Sequence, residues 1–448
     1  MGHNDTYDDL QKAELGYADD AEQAIHRMQI ASNIANILAK QELIAKLGKA
    51  LVMTGAPAHR IDSAMDKLSQ RLEVDGSYVV LPGTIIATFN DIHTHTSDTQ
   101  VIRCPRSLDI DKLEKANIIA YKTAKGQLGI EEANRQLDDI IEGPPTYGFW
   151  VTVLGYIMTS AFSACLFYNG SWTDCWISAI FGLVVGVLTF ISEKMPMFAN
   201  VFEMLVTIPI AIVCLAIQPH ICFASVAMAA IIIPLPGYSL TCAVMELAAR
   251  NLTSGVTHFV YALVYCMFLG FGLGYGCAIW KLAHPDFALD VLGACQHPLS
   301  PWWMFLNTPL ATIGYGFVYG AKTRHVLEMC ANSAISYAVY YFVGLYVGSN
   351  SVITPSAGAF AVGIAGNLYS RICKKLAFVP IMGGIIVLVP GSLGVKGVIH
   401  MFDGSSLNSG AEFANQVFVV ALSLTMGLFT ANLIVYPKGK KRAAFLGY

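Results

Sequence analysis

The chain has 448 residues, 55% hydrophobic and 13% charged, with a formal net charge of -3. Residues 1–147 hold 37 of the 59 charged side chains, so a polar front precedes a body too apolar for an ordinary soluble fold. The front's 15 Lys and Arg against 22 Asp and Glu exclude nucleic acid as an electrostatic partner.

Residues 1–30 are polar and acidic, without a basic n-region or an apolar h-region, and are expected to form a flexible tail, not a cleaved signal. From Glu22 to Met53 the positions Ile30, Ile34, Ile37 and Leu38 recur at helical spacing. Gly55 fits a helix C′ position, and Pro57 fits the first turn of a helix running to about Leu72. The stretches 75–91 and 95–104 are predicted as strands joined by short turns. Helices follow near 109–125 and 130–141, and EGPPTYG (142–148) marks a boundary. Residues 31–147 are thus expected to form a cytosolic α+β domain.

The remainder contains ten apolar runs of membrane-crossing length, near 148–168, 172–191, 199–217, 220–245, 254–279, 302–320, 326–347, 355–371, 376–399 and 413–435. The eighth, SAGAFAVGIAG, is rich in small residues that let helices approach closely. With the front cytosolic, eleven basic residues fall on the inner loops and tail and two, Lys281 and Lys396, on the outer side. That bias places both termini in the cytosol. The fold class expected is a polytopic α-helical membrane protein: five helices over 148–280, an outer loop over 281–301, five helices over 302–436 and a basic tail over 437–448. Ten of the eleven cysteines lie in Cys165–Cys373 without a CxxC pair, which reads as buried small hydrophobes and not as a disulfide or zinc framework.

A shift of 154 residues superposes MAAIIIPLPG (228–237) on MGGIIVLVPG (382–391), and the first span on the sixth. Five spans per half is an odd number, so the second half starts on the opposite face and the repeat is inverted. Pro236-Gly237 and Pro390-Gly391 then become matching helix interruptions, each followed by a serine, Ser239 and Ser392. Proline removes a helix hydrogen bond, and freed backbone groups in a bilayer persist only beside protein or a water-filled cavity. Packing kinks would produce the same residues. The substrate region expected comprises Pro236, Gly237, Ser239, Thr241, Pro390, Gly391, Ser392 and Asn367.

Glu203 lies inside the third span, sharing a helical face with Asn200 and Thr207, and is the first candidate for proton coupling. A structural carboxylate near the inner edge fits the same position. Asp174 and Glu328 are related by the 154-residue offset, each near the start of a span, where an interfacial role competes with coupling. Glu246 and Arg250, four apart, read as a local ion pair at the membrane edge. Asn332 and Ser356 are further polar groups that could join helices.

In the front, His59, Arg60 and Asp62 sit at a helix start, and His93 and His95 alternate along a strand. A hydrolytic centre or a metal site is conceivable there, while hydrogen bonding across the domain or to the membrane part is the simpler role. No HExxH, GxSxG or P-loop sequence is present, and no cofactor or metal is expected.

The segments LVMTGAPAHRID, LEVDGSYVVLPGTIIATFND and GIEEANRQLDDI, with LVPGSLGVKG, resemble the two signatures of the threonine/serine exporter family, fungal branch. The resemblance covers about residues 35–436. It implies ten spans, a cytosolic front domain and export of small polar amino acids driven by protons, in a plasma or vacuolar membrane. It also implies that Asp62 stands where the family pattern commonly has Glu. The alternatives are a membrane-anchored hydrolase working at His59, His93 and His95, or a channel or membrane scaffold. A homo-oligomer is compatible with the sequence.

Overall fold

A computed structural model of the chain describes residues 5–91, 96–105, 107–199, 201–285, 295, 297–348, 352–389, 395 and 408–437. His93, His95, Asn200, Pro390, Gly391, Ser392, Lys396 and the basic tail from 438 onward lie outside the described residues.

The N-terminal unit consists of α1 (Asp5–Met53), α2 (Ala58–Leu72), strands β1 (Gly76–Leu81), β2 (Thr84–Asp91) and β3 (Thr96–Arg103), then α3 (Ile110–Ala124) and α4 (Ile130–Glu142). The strands form one antiparallel sheet in the order β1-β2-β3. Within 75–91 the chain reverses at Pro82-Gly83, because Gly83 adopts φ +75° at no steric cost. Gly55, at φ +89°, ends α1 in the same way. The helical path begins at Asp5, so it runs through the acidic stretch instead of starting near Glu22.

Periodicity explains the packing of this unit. In α4 the buried residues Ala133, Asn134, Leu137 and Ile140 share one face. They join Leu43 and Leu47 of α1, Met65 and Leu68 of α2, Ile85 of β2 and Leu113 of α3 in one core. That core does not stop at the unit's edge. It continues through Ala321, Val326, Met329, Phe378 and Met382, which belong to the apolar body.

The body is helical throughout its described length. It comprises α5 (Phe149–Tyr168), α6 (Trp172–Lys194), α7 (Pro196–Ala199), α8 (Phe202–Ala216), a 3₁₀ turn (Gln218–His220), α9 (Phe223–Ala230), α10 (Gly237–Ala248) and α11 (Leu252–Ala283). After the connection come α12 (Pro301–Val318), α13 (Thr323–Val347), α14 (Ile353–Cys373), α15 (Phe378–Ile386) and α16 (Asn408–Val435). Four segments among the described residues are long and apolar enough to cross a membrane: Phe149–Tyr168, Trp172–Lys194, Leu252–Ala283 and Asn415–Val435. With the composition, they make this a membrane protein.

Small residues set the closest helix contacts. A Cβ on Gly155 of α5 would lie 2.8 Å from the carbonyl of Gly314 on α12, so these helices touch backbone to backbone. Gly276 of α11 sits equally close to Ile208 of α8, and Gly427 of α16 to Ser356 of α14.

The buried clusters show how the helices around the first interruption pack. Helix α9 shares a core with α5, α6, α8 and α11, whereas α10, which follows it, packs on α11, where Leu240 meets Ala262 and Cys266, and also reaches α14, α15 and α16 through Cys242 and Met245. Helix α15 shares the core of α14 and α16, while Val395, beyond it in the chain, is buried with α8, α9 and α11.

One expectation is corrected. Cys222, just before α9, is bonded to Cys295 in the connection between α11 and α12. Nine cysteines are free and seven of them buried, as small hydrophobes should be. The bonded pair lies 73 positions apart, a separation carrying no spacing motif.

Candidate functional site

The first interruption is made by Pro234 and Pro236, which lack the N–H groups a continuing helix needs. Helix α9 closes at Ala230, and α10 opens at Gly237 after Pro236 at φ −80°, ψ 29°. Thr241, fully buried, returns its hydroxyl to the Gly237 carbonyl at 3.2 Å. Ser239 is half-buried beside it. In the second half α15 closes at Ile386, and the Leu388 amide donates to Ile385. The Pro390-Gly391-Ser392 segment that follows is outside the described residues.

The remaining residues singled out in the sequence occupy distinct places. Glu203 is in the first turn of α8, half-buried and facing Tyr265 of α11. Asp174 closes a capping box: its carboxylate accepts from the Ser171 amide at 2.7 Å, while its other oxygen accepts from the Cys222 amide at 2.9 Å. Glu328 accepts from Lys375 at 2.6 Å and from the Tyr369 hydroxyl. Asn367 is buried on α14, and its side-chain oxygen has no hydrogen-bond partner among the described residues. Asn332 donates to the carbonyls of Pro380, at 2.7 Å, and Val362.

A junction that the sequence reading missed centres on Glu246, near the end of α10 and 0% exposed. One carboxylate oxygen accepts the Ala58 amide at 2.9 Å. The other accepts the Ser254 hydroxyl at 2.9 Å and meets His258 Nδ1 at 2.8 Å. The expected Glu246–Arg250 pair is therefore replaced. Helix α10 stops at Ala248 and Arg250 turns to φ +66°, so the two residues do not share a helical face.

Ala58 is the first residue of α2, whose N-terminal amides point at the carboxylate as helix starts do toward anions. The next two residues continue the contact. His59 faces Glu246, and burial, helped by repulsion from Arg60, pushes its pKa down to about 4. The Arg60 guanidinium lies 5.4 Å from the ring centroid of Phe378, the first residue of α15. Three consecutive residues of the N-terminal unit thus touch α10 and α15, the elements flanking the two interruptions. Asp62 lies further along α2 near Asp66.

A second junction ties α3 to the start of α13. Asp111 accepts Lys115 at 2.8 Å and Lys322 at 2.9 Å, and Glu114 accepts Arg324 at 2.6 Å. His325 Nε2 is 2.9 Å from Glu114. Burial pushes the Asp111 carboxyl up, but hydrogen bonds from Lys115 and Lys322 outweigh it and hold it below the usual range.

Inside the body, hydroxyls gather where α5, α6 and α12 meet. Thr159, Ser160, Ser163, Ser178 and Asn307 are each fully buried. The side-chain oxygens of Thr159, Ser160, Ser178 and Asn307 have no hydrogen-bond partner among the described residues.

Apolar helices of membrane-crossing length and an α/β unit packed against them define a helical membrane protein. The chain belongs to the threonine/serine exporter family: the ThrE model of threonine/serine exporters matches residues 42–280, and the companion model, "Threonine/Serine exporter, ThrE", matches 304–434. It is 32% identical over 434 residues to "Pheromone-regulated membrane protein 10" of Kluyveromyces lactis, covering 92% of this chain and 45% of that protein. The Saccharomyces cerevisiae protein of that name is 33% identical over 435 residues, with 92% and 56% covered. The Candida albicans one is 32% identical over 443 residues, with 94% and 40% covered. The chain spans about half the length of these curated relatives. No solved structure matches it.

Proposed function

We propose that the chain exports small hydroxy amino acids of the threonine/serine class from the cytosol in exchange for protons. In this reading ten spans form two inverted five-helix halves, the N-terminal unit is cytosolic, and both termini face the cytosol. The membrane is the plasma or the vacuolar membrane. Family membership supports transport over enzymatic chemistry. The observation that carries the site is the position of α10, which follows the first interruption and packs both on α11 and in the core of α14, α15 and α16. A segment that bridges helices in this way after a break is where alternating access needs a binding region.

The chemistry follows from the interruptions. The N-terminal amides of α10, from Gly237 onward, form the positive end of a helix dipole and suit the substrate carboxylate. Ser239, Thr241 and Ser392 offer hydroxyl partners to the substrate side chain, with Pro236, Pro390 and Gly391 holding the backbone open and Asn367 adding an amide oxygen. The proton stations read from the sequence are Glu203, Asp174 and Glu328.

The hydrolase reading is disfavoured by the burial of His59 and by Arg60, which lies over Phe378. Purified full-length protein in liposomes with an imposed pH difference tests the proposal. Saturable, gradient-driven uptake of labelled serine or threonine is expected. Unsaturable flux would indicate a channel, and absence of flux would end the reading.

A further inference from the structure

We infer that the Glu246–His258 pair, and not Glu203, Asp174 or Glu328, is the station that binds the exchanged proton, with the Ala58–Arg60 turn as its cytosolic gate. The inference deepens the antiport reading and rests on it for the direction of the cycle.

Geometry separates the four carboxylates. Both oxygens of Asp174 accept backbone amides, which is the work of a cap. Glu328 is matched by Lys375, a fixed cation 2.6 Å away. Glu203 faces a phenol. Glu328 also faces a buried imidazole, His325, at 3.8 Å, but shares it with Glu114 and is matched by Lys375, whereas Glu246 meets His258, 12% exposed, at 2.8 Å with no cation paired to it among the described residues. A buried carboxylate–imidazole pair takes and gives a single proton, passing between net charge minus one, stabilised by the Ala58 amide and the Ser254 hydroxyl, and net neutrality.

The groups that face Glu246 are few and come from two elements. Helix α11 supplies His258 and Ser254, and α2 supplies the Ala58 amide, His59 and, beside it, Arg60. His59 stays neutral through the range in which an unperturbed imidazole titrates, so it does not compete for the proton.

The wiring turns protonation into motion. The ionised carboxylate accepts the Ala58 amide strongly, as charged acceptors do. A proton arriving from the compartment that receives the amino acid is taken by His258, and the imidazolium then draws on the carboxylate's charge and weakens the bond to Ala58. The start of α2 then lifts from Glu246, and Arg60 leaves Phe378 with it, freeing the ends of α10 and α15 together. The exposed pair loses its proton to the cytosol, substrate enters, and the restored carboxylate draws α2 back. One proton enters and one leaves per cycle, and no bond beyond these is made.

The test uses full-length protein in proteoliposomes and two transport assays. In E246Q and in H258Q, exchange of labelled serine against internal serine is expected to persist while pH-gradient-driven accumulation is lost. Gradient-driven accumulation by E246Q, or loss of exchange along with it, overturns the inference. A second variant reads the gate without any amino acid. A58P deletes the donor at a helix N1 position that tolerates proline, and Pro57 before it already has the φ −63°, ψ 144° such a residue requires. A58P is expected to let protons leak into vesicles, and A58P/E246Q to remain tight. A leak that persists in the double variant contradicts the inference. If wild type moves neither amino acid while A58P leaks through Glu246, the transport reading fails and the proton station stands.

Discussion

The amide of Ala58 and the carboxylate of Glu246 are 188 positions apart in the chain and 2.9 Å apart in space. This bond joins the N-terminal unit to the helix that follows the first interruption. Arg60, two residues on, lies over Phe378 at the start of α15. The N-terminal unit is therefore built into the core of the body, with α2 set against both α10 and α15.

His59 gives this junction a pH dependence. Its pKa falls from 6.5 to about 4, through burial first and Arg60 second, with Glu246 pulling the other way. The folded chain holds that proton less tightly than the unfolded chain, so stability present above pH 6.5 is lost as pH falls toward 4. The loss attributable to this group is about 3 kcal/mol at most. Thermal unfolding of solubilised H59Q across that range is expected to be flatter than wild type. An unchanged acid slope would assign the effect to another group.

Gly383 tests the packing of α15. A Cβ there would lie 2.6–2.8 Å from Met329, including its Cα and carbonyl, which cannot move aside as a side-chain tip can. Gly383→Ala is expected to cost about 1–3 kcal/mol and to lower the yield of folded protein. Gly148, where an added Cβ meets nothing within 4 Å, is the control, and Gly148→Ala should change little. Equal yields of the two variants would refute the tight α13–α15 contact.

The Cys222–Cys295 bond ties α9 to the connection before α12. Alkylation of denatured, unreduced protein is expected to modify nine cysteines, and eleven after reduction. Removing the cross-link with C295S should destabilise the protein by about 2–4 kcal/mol, read as a lower unfolding midpoint. Eleven modified without reductant would show that the bond does not form.

Local patterns in the sequence were legible where local physics decides. Gly55 and Gly83 sit at positive φ, the apolar face of α4 follows its periodicity, and a new helix opens at Gly237 just after Pro236. Partnerships across the chain were not. Glu246 and Arg250 have the spacing of an ion pair, but the pattern does not show that α10 ends two residues beyond Glu246. His258 was the available signal: an ionisable side chain inside the apolar run GVTHFV marks function or a partner, and Glu246 is the nearest acid before it. Cys222 and Cys295 found each other through tertiary structure alone, and the Ala58 donor is a backbone group that no residue code announces.

The central claim is that the interrupted helices line a wet path for substrate. Labelling Ser239→Cys with a membrane-impermeant thiol reagent tests it most directly, with serine and threonine added as protectants. Modification that blocks transport, slowed by either amino acid, is the expected result. Reaction only with lipid-soluble reagents, indifferent to both amino acids, would contradict the account.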